Sequence, residues 1–153
     1  MTTMKIYQIK AEYRREYGFE SYAYLESEGV TPNTGMYDLV WEEELESDNH
    51  PDTELELQFT RFNLDRPDGF KGHSMSMSDV VVLDGVAYYC DTIGFKQLDK
   101  WDGLASMTDL ELITEYKVYC ILGATELNKK ERTAAQKYRN ELSIEILKRM
   151  ERR

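Results

Sequence analysis

The strongest constraint on the fold is a short β-hairpin in the middle of the chain. Residues 80–83 and 86–89 are rich in β-forming side chains, and Asp84-Gly85 connects them. A two-residue Asp-Gly connection favours a tight turn in which both residues have positive φ, and it is the strongest short-range signal for a hairpin. We therefore predict an antiparallel sheet around this hairpin.

Three other strands are predicted from alternation or from β-forming composition. Near the N-terminus, Met4, Ile6 and Gln8 fall on the same side of a strand, because alternate side chains share a face. Residues 37–42 alternate apolar and polar side chains, which is typical of a half-buried strand. Residues 95–98 are predicted to form a further short strand after the hairpin.

Two helices are predicted in the first half of the chain. The first lies within residues 13–29 and ends at Gly29. The second begins near Pro51, since proline is favoured in the first helical turn. Its buried face is predicted to hold Leu55, Phe59 and Phe62.

The C-terminal part of the chain has helical character. Thr108 with Glu111, and Asn128 with Glu131, each have the spacing of a capping box. Gly123 is a natural end for the first of these helices, although the segment before it also contains β-forming residues. The first helix has a stripe at helical spacing, formed by Leu110, Ile113, Lys117 and Ile121. The last helix, from about Lys129 to Met150, has an apolar side with Ala134, Ala135, Tyr138, Leu142, Ile146 and Met150.

We predict an α+β fold in two parts. Residues 1–104 form a small, mostly antiparallel sheet with packed helices. Residues 105–153 form a C-terminal helical extension.

Charge is distributed unevenly along the chain. The net charge is −10, and residues 16–60 carry thirteen acidic residues and no Lys or Arg. Residues 126–153 carry a net charge of +4, from nine bases and five acids. An acidic protein is a poor direct ligand for phosphate backbones, which are bound by Lys and Arg. It is better suited to a basic protein partner.

No targeting signal or membrane segment is predicted. The N-terminus lacks an apolar run of signal-peptide length. No stretch approaches the roughly 18 apolar residues of a membrane helix. Cys90 and Cys120 each lie among apolar or aromatic residues, so we expect two buried free thiols. These features predict a soluble cytoplasmic protein with no membrane partner.

The residue inventory argues against several kinds of site. His50 and His73 are the only histidines of the sequence, and no pair of histidines or cysteines has the spacing of zinc ligands. No glycine-rich phosphate-binding loop is present. The Gly-x-Ser-x-Gly elbow of nucleophilic serines is also absent. We therefore predict no metal, no cofactor and no catalytic residue, and the alternative catalytic set is His73, Ser74 and Asp79.

The most unusual segment is residues 70–79, where serines alternate with methionines just before the hairpin. In a structural interpretation, Gly72 supplies a special backbone angle. The other side chains then bond to nearby backbone groups or pack inward, as we expect for Ser78, Asp79, Met75 and Met77. In a functional interpretation, Lys71 and His73 belong to an exposed recognition loop. We favour the structural interpretation.

The acidic block also has two interpretations. Acidic side chains keep an exposed edge strand soluble and unpaired. Alternatively, they imitate the phosphates of a nucleic acid and bind a groove lined with Lys and Arg. The predicted partner-binding residues are then Trp41, Glu42, Glu43, Glu44, Glu46, Asp48, Glu54 and Glu56, with Lys71 and His73 from the loop. The basic face of the last helix contacts nucleic acid or packs on acidic residues of its own or another copy, and we favour the packing.

Three stretches of the sequence resemble the YodL-like domain family. They are MKIYQIK at residues 4–10, residues 37–41 with their acidic continuation, and residues 70–91 followed by Ile93-Gly94-Phe95. Similar domains occur in small accessory proteins and larger multidomain proteins of conjugative elements and phages. The resemblance covers roughly residues 4–98, and the serine–methionine segment is its most specific part.

The resemblance implies a role in defeating host defence, as an anti-restriction or type II-A anti-CRISPR protein, and it implies no catalytic residues. We expect the protein to bind a basic nuclease such as Cas9, or its guide RNA complex, in the bacterial host cell. Cas9 holds nucleic acid in a positively charged channel, so an acidic ligand there would block loading of guide or target. The alternative function is a nuclease, or a nuclease-assisting factor, that cleaves guide RNA or DNA with the His73 loop and carboxylates. The last helix also allows a homodimer.

Overall fold

The computed structural model describes residues 1–103, 107–122 and 128–152. Within these ranges the strands are β1 (Thr2–Ile9), β2 (Tyr37–Leu45), β3 (Val80–Leu83), β4 (Val86–Cys90) and β5 (Phe95–Leu98). The helices are α1 (Ala11–Tyr17), α2 (Tyr22–Ser27), α3 (Pro51–Leu64), α4 (Asp109–Leu122) and α5 (Lys129–Glu151). The predicted α+β class is confirmed. The chain divides into two compact units, Met1–Trp101 and Asp102–Arg153.

The five strands of the first unit form one antiparallel sheet in the order β2-β1-β3-β4-β5. β1 pairs with β2 on one side and with β3 on the other, so β2 and β5 are the edge strands. The register between β1 and β2 shifts once: Ile6 faces Trp41, whereas Tyr7 faces Leu39. Val40 is therefore an extra residue in β2, and such a bulge bends and twists an edge strand.

The predicted hairpin is confirmed. β3 and β4 are joined by Asp84 and Gly85, whose φ angles are 46° and 82°, as a tight hairpin turn requires. Asp84 also ties the turn to β1: its Oδ1 accepts a hydrogen bond from the Thr3 N–H at 2.9 Å. Its own N–H donates to the Thr3 carbonyl, also at 2.9 Å. β5 has the bounds that were predicted for the strand after the hairpin, residues 95–98.

The sheet has a hydrophobic core on each face. Successive side chains of a strand point to opposite faces, which is why Val80 and Val81 belong to different cores. One core joins the sheet to the α1–α2 side and includes Ile9, Leu25, Tyr37, Val80, Tyr89 and Trp101. The other joins it to α3 and includes Met4, Ile6, Leu55, Phe62, Met75 and Val81. Leu55 and Phe62 of the predicted α3 face are fully buried, and Phe59 is half-buried.

The single helix predicted within residues 13–29 is two helices, α1 and α2. The chain turns between them at Phe19, whose φ of 60° lies in the left-handed region that L-residues rarely adopt. Ser21 then starts α2, because its hydroxyl accepts a hydrogen bond from the Tyr24 N–H at 3.2 Å. Gly29, with φ of 71°, follows the end of α2 as predicted.

The second unit is a pair of antiparallel helices, α4 and α5. Both predicted capping boxes are present: Thr108 and Glu111 exchange hydrogen bonds at the start of α4, and Asn128 and Glu131 do so at α5. α4 continues through residues 118–122 as a helix. The predicted stop at Gly123 lies outside the described residues. Among the described helices, none is long and apolar enough to cross a membrane.

The face of α4 that packs against α5 differs from the predicted stripe. Leu112 has no exposed surface, and Tyr119 packs edge-on against Tyr138 of α5 with ring centroids 4.6 Å apart. The predicted stripe is instead exposed to solvent. Spacing alone could not tell the two apart, because apolar residues occur on all sides of α4. On α5, Leu142 is buried as expected, whereas Ala134 and Met150 of the predicted apolar side are exposed.

Candidate functional site

The acidic side chains of β2 point alternately to the two faces of the sheet. Trp41 and Glu43 face α3, because Trp41 packs on Phe62 with ring centroids 6.1 Å apart and Glu43 forms an ion pair with Arg61. Trp41 is half-buried, so it anchors the fold rather than an exposed surface. Glu43 therefore lies on the opposite face of the sheet from Glu42 and Glu44, although all three belong to the predicted partner-binding set.

Glu42 and Glu44 lie on the opposite face of β2 and are exposed. Glu42 is 3.7 Å from the Lys5 ammonium, and Glu44 accepts a hydrogen bond from the Thr3 hydroxyl at 2.6 Å. Beyond the end of the strand, the side chains of Glu46 and Asp48 are also exposed. We call the set Glu42, Glu44, Glu46 and Asp48 the acidic row.

Glu54 is buried in the N-terminal turn of α3, although it is one of the predicted partner-binding residues. Its carboxylate accepts hydrogen bonds from the Ser47 hydroxyl, from Asn49 Nδ2 at 3.0 Å and from Gln58 Nε2 at 2.7 Å. Burial alone would raise the pKa of Glu54, but these hydrogen bonds outweigh it and lower the pKa below its ordinary value. This carboxylate holds the start of α3 in place and is not available to a partner.

Glu56 and Lys71 are exposed but do not belong to the acidic row. Glu56 lies on α3, across the sheet from Glu42 and Glu44. It borders an open cavity of about 360 Å³ that is also lined by Met77, Cys90 and Phe95. The thirteen acids that are continuous in sequence are therefore divided among several surfaces.

Gln8 of β1 fixes the position of the His73 loop. Its Oε1 accepts a hydrogen bond from the His73 N–H at 3.0 Å, and its Nε2 donates to the His73 carbonyl at 2.8 Å. The same Nε2 donates to Asp79 Oδ2 at 3.1 Å. One buried amide thus clamps both ends of residues 73–79.

Asp79 is fully buried immediately before β3. Its Oδ2 accepts hydrogen bonds from Gln8 and, at 3.0 Å, from the Ser76 N–H. Its Oδ1 is buried and has no hydrogen-bond partner within the described ranges. Burial raises the pKa of this carboxyl to about 7, against an ordinary value of 3.8. The group is therefore poised to gain or lose a proton near neutral pH.

His73 presents a second unsatisfied buried atom to Asp79. Its Nε2 lies 3.9 Å from Asp79 Oδ1, which is too long for a hydrogen bond, and has no other partner in the part of the chain that is described. Its Nδ1 is 2.7 Å from the Ser74 carbonyl and 3.3 Å from Gln8 Nε2. His73 Nε2 and Asp79 Oδ1 therefore face each other without a hydrogen bond between them.

Two strained residues lie beside this pair. Phe19 and Ser78 have φ angles of 60° and 83°, and the Phe19 N–H donates to the Ser78 hydroxyl at 3.0 Å. The exposed Phe19 ring lies 5.8 Å from the His73 ring. Tyr37 donates its hydroxyl to the Ser78 carbonyl at 2.7 Å. Backbone strain of this kind persists only where the surroundings over-determine it, and it clusters at functional sites.

The alternative catalytic set is only partly assembled. His73 and Asp79 lie together, but the contact between His73 and Ser74 is made by the Ser74 carbonyl and not by its hydroxyl. Ser74 is therefore not placed as a nucleophile whose proton His73 takes. The three residues therefore do not form a serine triad.

No group of three or more His, Cys, Asp or Glu side chains that could hold a metal ion occurs in residues 1–103, 107–122 and 128–152. Of the two cysteines, Cys90 is buried as predicted, and burial raises the pKa of its thiol to about 12. Cys120 is exposed, which corrects the prediction. Cys120 lies on α4, on a side of the helix that does not pack against α5.

Gln8 and Phe19 are site residues that sequence reasoning missed. The signal for Gln8 was present, since it shares a strand face with Met4 and Ile6 and so had to be buried with a partner. Nothing in the sequence indicates that Phe19 has a positive φ, because neighbouring residues do not predict this conformation for a non-glycine residue.

Comparison with known proteins agrees with the sequence resemblance. A family model described as the YodL-like domain matches residues 3–101. No curated protein and no solved structure matches the chain. The match covers more than half of the chain and ends at the last residue of the first compact unit.

Proposed function

The chain belongs to the YodL-like domain family, and on that premise we propose that it is an anti-defence protein. It binds the basic nucleic-acid-binding surface of a host nuclease, most simply Cas9 or its guide RNA complex, or a restriction nuclease. Occupation of that surface blocks loading of the guide or target nucleic acid. The protein acts in the cytoplasm of the bacterial host cell.

The acidic row carries this proposal. Its members lie on and just beyond an edge strand, so no neighbouring strand covers that side. Alternate strand residues are about 7 Å apart, which spaces Glu42 and Glu44 along the strand, and Glu46 and Asp48 follow directly after it. A line of negative charge complements a basic groove and steers encounter with it. The competing explanation is that these charges only keep the edge strand β2 from pairing with strands of other chains.

Charge reversal in the acidic row tests the proposal. We expect Glu42→Lys/Glu44→Lys to weaken binding to purified Cas9 at least about tenfold, because two attractive contacts become repulsive. Binding is measured by biolayer interferometry with and without guide RNA. Affinity of the wild type should also fall as salt is raised, since exposed charge pairs are screened.

A matched control separates this surface from net charge. Glu26→Lys/Glu28→Lys makes the same change in charge at two exposed positions at the end of α2. We expect it to bind as the wild type does. Equal weakening by both double variants, or no binding of the wild type to any cognate Cas9 or restriction enzyme at modest salt, contradicts the proposal.

The His73–Asp79 pair favours a second candidate, a nuclease or nuclease-assisting factor. His73 lies beside the Asp79 carboxyl, and a histidine with a neighbouring carboxyl is a combination that general acid–base catalysis of strand cleavage can use. On a denaturing gel, guide RNA incubated with the protein and Cas9 should then be shortened. His73→Ala should abolish the product, whereas His50→Ala, at an exposed histidine, should not. A parallel reaction with EDTA shows whether cleavage needs a divalent metal. Intact RNA in every lane would contradict this second candidate function.

A further inference from the structure

One side of α4 is apolar and faces solvent. Leu112 supplies the packed side, with no exposed surface. On the opposite side, Leu110 and Ile121 are 75% and 67% exposed, and Ile113 and Val118 are each 44% exposed. Thr114 and Lys117 complete this side and are exposed as well. We call these six residues the outer face of α4.

The outer face has the same pattern when it is read from either end. From the N-terminal end the order is aliphatic, aliphatic, polar, given by Leu110, Ile113 and Thr114. From the C-terminal end it is again aliphatic, aliphatic, polar, given by Ile121, Val118 and Lys117. The spacings also match, so the pattern is symmetric about the midpoint between Glu115 and Tyr116. Such a surface is self-complementary in an antiparallel pair, and an isologous interface joins the same patch of two copies in this way.

We propose that the outer face of α4 binds the same face of a second copy of this chain, with the two helices antiparallel. Leu110 of one copy then packs on Ile121 of the other, and Ile113 packs on Val118. Each Lys117 lies opposite Thr114 of the second copy and about one turn from its Glu111, to which its ammonium can extend. This inference is independent of the proposed function, and it moves the homodimer contact predicted for the last helix to α4.

The solvent side of α5 does not offer an equivalent surface. Ile144 and Leu147 are exposed there, but Lys137 and Asn140 occupy the preceding turns of the same side. Apolar residues therefore lie only towards one end of that side. An antiparallel copy could cover them only through a contact at that end of α5, which is shorter than the outer face of α4.

The size of the contact sets the expected affinity. α4 has 14 residues and is therefore about 21 Å long. One helix of this length buries less than the roughly 800 Å² per partner of a standard interface. We therefore expect a reversible dimer, with a dissociation constant on the order of 10 μM, rather than an obligate one.

Sedimentation velocity of the full chain tests the proposal. From about 1 to 300 μM, the wild type should shift from its monomer mass of 18.0 kDa towards twice that mass. Ile113→Glu should raise the dissociation constant at least about tenfold, because it places a charge in the apolar contact. Ile93→Glu is the matched control, since Ile93 is 93% exposed in the other compact unit, and it should associate as the wild type does.

A charge-pair rescue tests the antiparallel register. Val118→Lys alone should weaken association, as Ile113→Glu does. The double variant Ile113→Glu/Val118→Lys should associate more tightly than either single variant, because each Glu then faces a Lys of the second copy. Circular dichroism checks that helix content is unchanged. A wild type that is monomeric at every concentration, an Ile113→Glu variant that associates normally, or a double variant without rescue overturns the proposal.

Discussion

Asp79→Asn is expected to unfold at a clearly higher urea concentration than the wild type at pH 8, and to differ much less from it at pH 5. The Asp79 carboxyl is fully buried, and burial raises its pKa to about 7 in the folded protein. In the unfolded chain the pKa returns to 3.8. Between pH 3.8 and about pH 7, the folded state therefore holds a proton that the unfolded state has released.

The sign of the effect follows from proton linkage. Protonation of Asp79 favours the folded state fully below pH 3.8, and this contribution is lost as the pH rises through about 7. Between pH 5 and pH 8 the wild type should lose about 2.5 kcal/mol of unfolding free energy from this group. Asparagine does not titrate, so the variant should not show this loss.

Asparagine also preserves the geometry of the site. Its amide oxygen can accept the hydrogen bonds that Gln8 and Ser76 donate to Asp79 Oδ2. Its NH₂ group takes the place of Oδ1 and lies 3.9 Å from His73 Nε2. The substitution therefore removes the charge and keeps the packing.

Asp79→Ala is the control that separates charge from hydrogen bonding. It cannot titrate either, but it leaves the Ser76 N–H without its acceptor, so it should be about 1–3 kcal/mol less stable than Asp79→Asn at both pH values. Urea titrations followed by circular dichroism measure all three proteins. The same pH dependence in the wild type and in Asp79→Asn would show that Asp79 titrates as an ordinary carboxyl.

Gly72→Ala is expected to reduce the unfolding free energy by about 2–3 kcal/mol, because the position is crowded. A Cβ at Gly72 would lie 2.7 Å from the Phe70 ring and 3.0 Å from Gln8 Cδ, and closer still to Gln8 Oε1. That oxygen accepts the His73 N–H, so the new methyl group would push apart the clamp that holds the loop. The sequence predicted a special backbone angle for Gly72, whereas the structure shows that close approach is the reason for glycine.

Two comparisons make the Gly72 prediction specific. Gly69→Ala has open space around its Cβ among the described residues but a φ of 85°, so it should cost only about 1 kcal/mol from backbone strain. In a Gln8→Ala background, Gly72→Ala should cost less than it does in the wild type, because one clashing side chain is gone. Urea denaturation of the four proteins in this double-mutant cycle measures the coupling. Additive effects would show that Gly72 and Gln8 do not interact.

The elements that were predictable from the sequence are those with local causes. The Asp84-Gly85 turn, the two capping boxes and β5 depend on neighbouring residues, and each has the expected bounds or contacts. The break between α1 and α2 was missed because a left-handed Phe19 depends on its bond to Ser78, which is distant in sequence.

The candidate site was less predictable, because its parts come from different strands. The serine–methionine segment drew attention to His73 and Asp79, but the clamp that places them is Gln8, on β1. The acids of β2 form a block in sequence, yet the strand period sends Glu43 to the α3 side and Glu42 to the other. The acidic block is visible in the sequence, whereas only the pairing of the strands shows which of its charges lie on the same surface.

The position of β1 between β2 and β3 has a consequence for synthesis on the ribosome. β2 begins 28 residues after the end of β1, and β3 begins a further 35 residues after the end of β2. At translation rates of roughly 5–20 residues per second, one edge of β1 stays open for about 2–7 s in the nascent chain. An open edge beside apolar side chains such as Met4 and Ile6 is a template for misassembly. This edge of the nascent chain therefore needs protection, for example by a chaperone, until residues 80–83 are made.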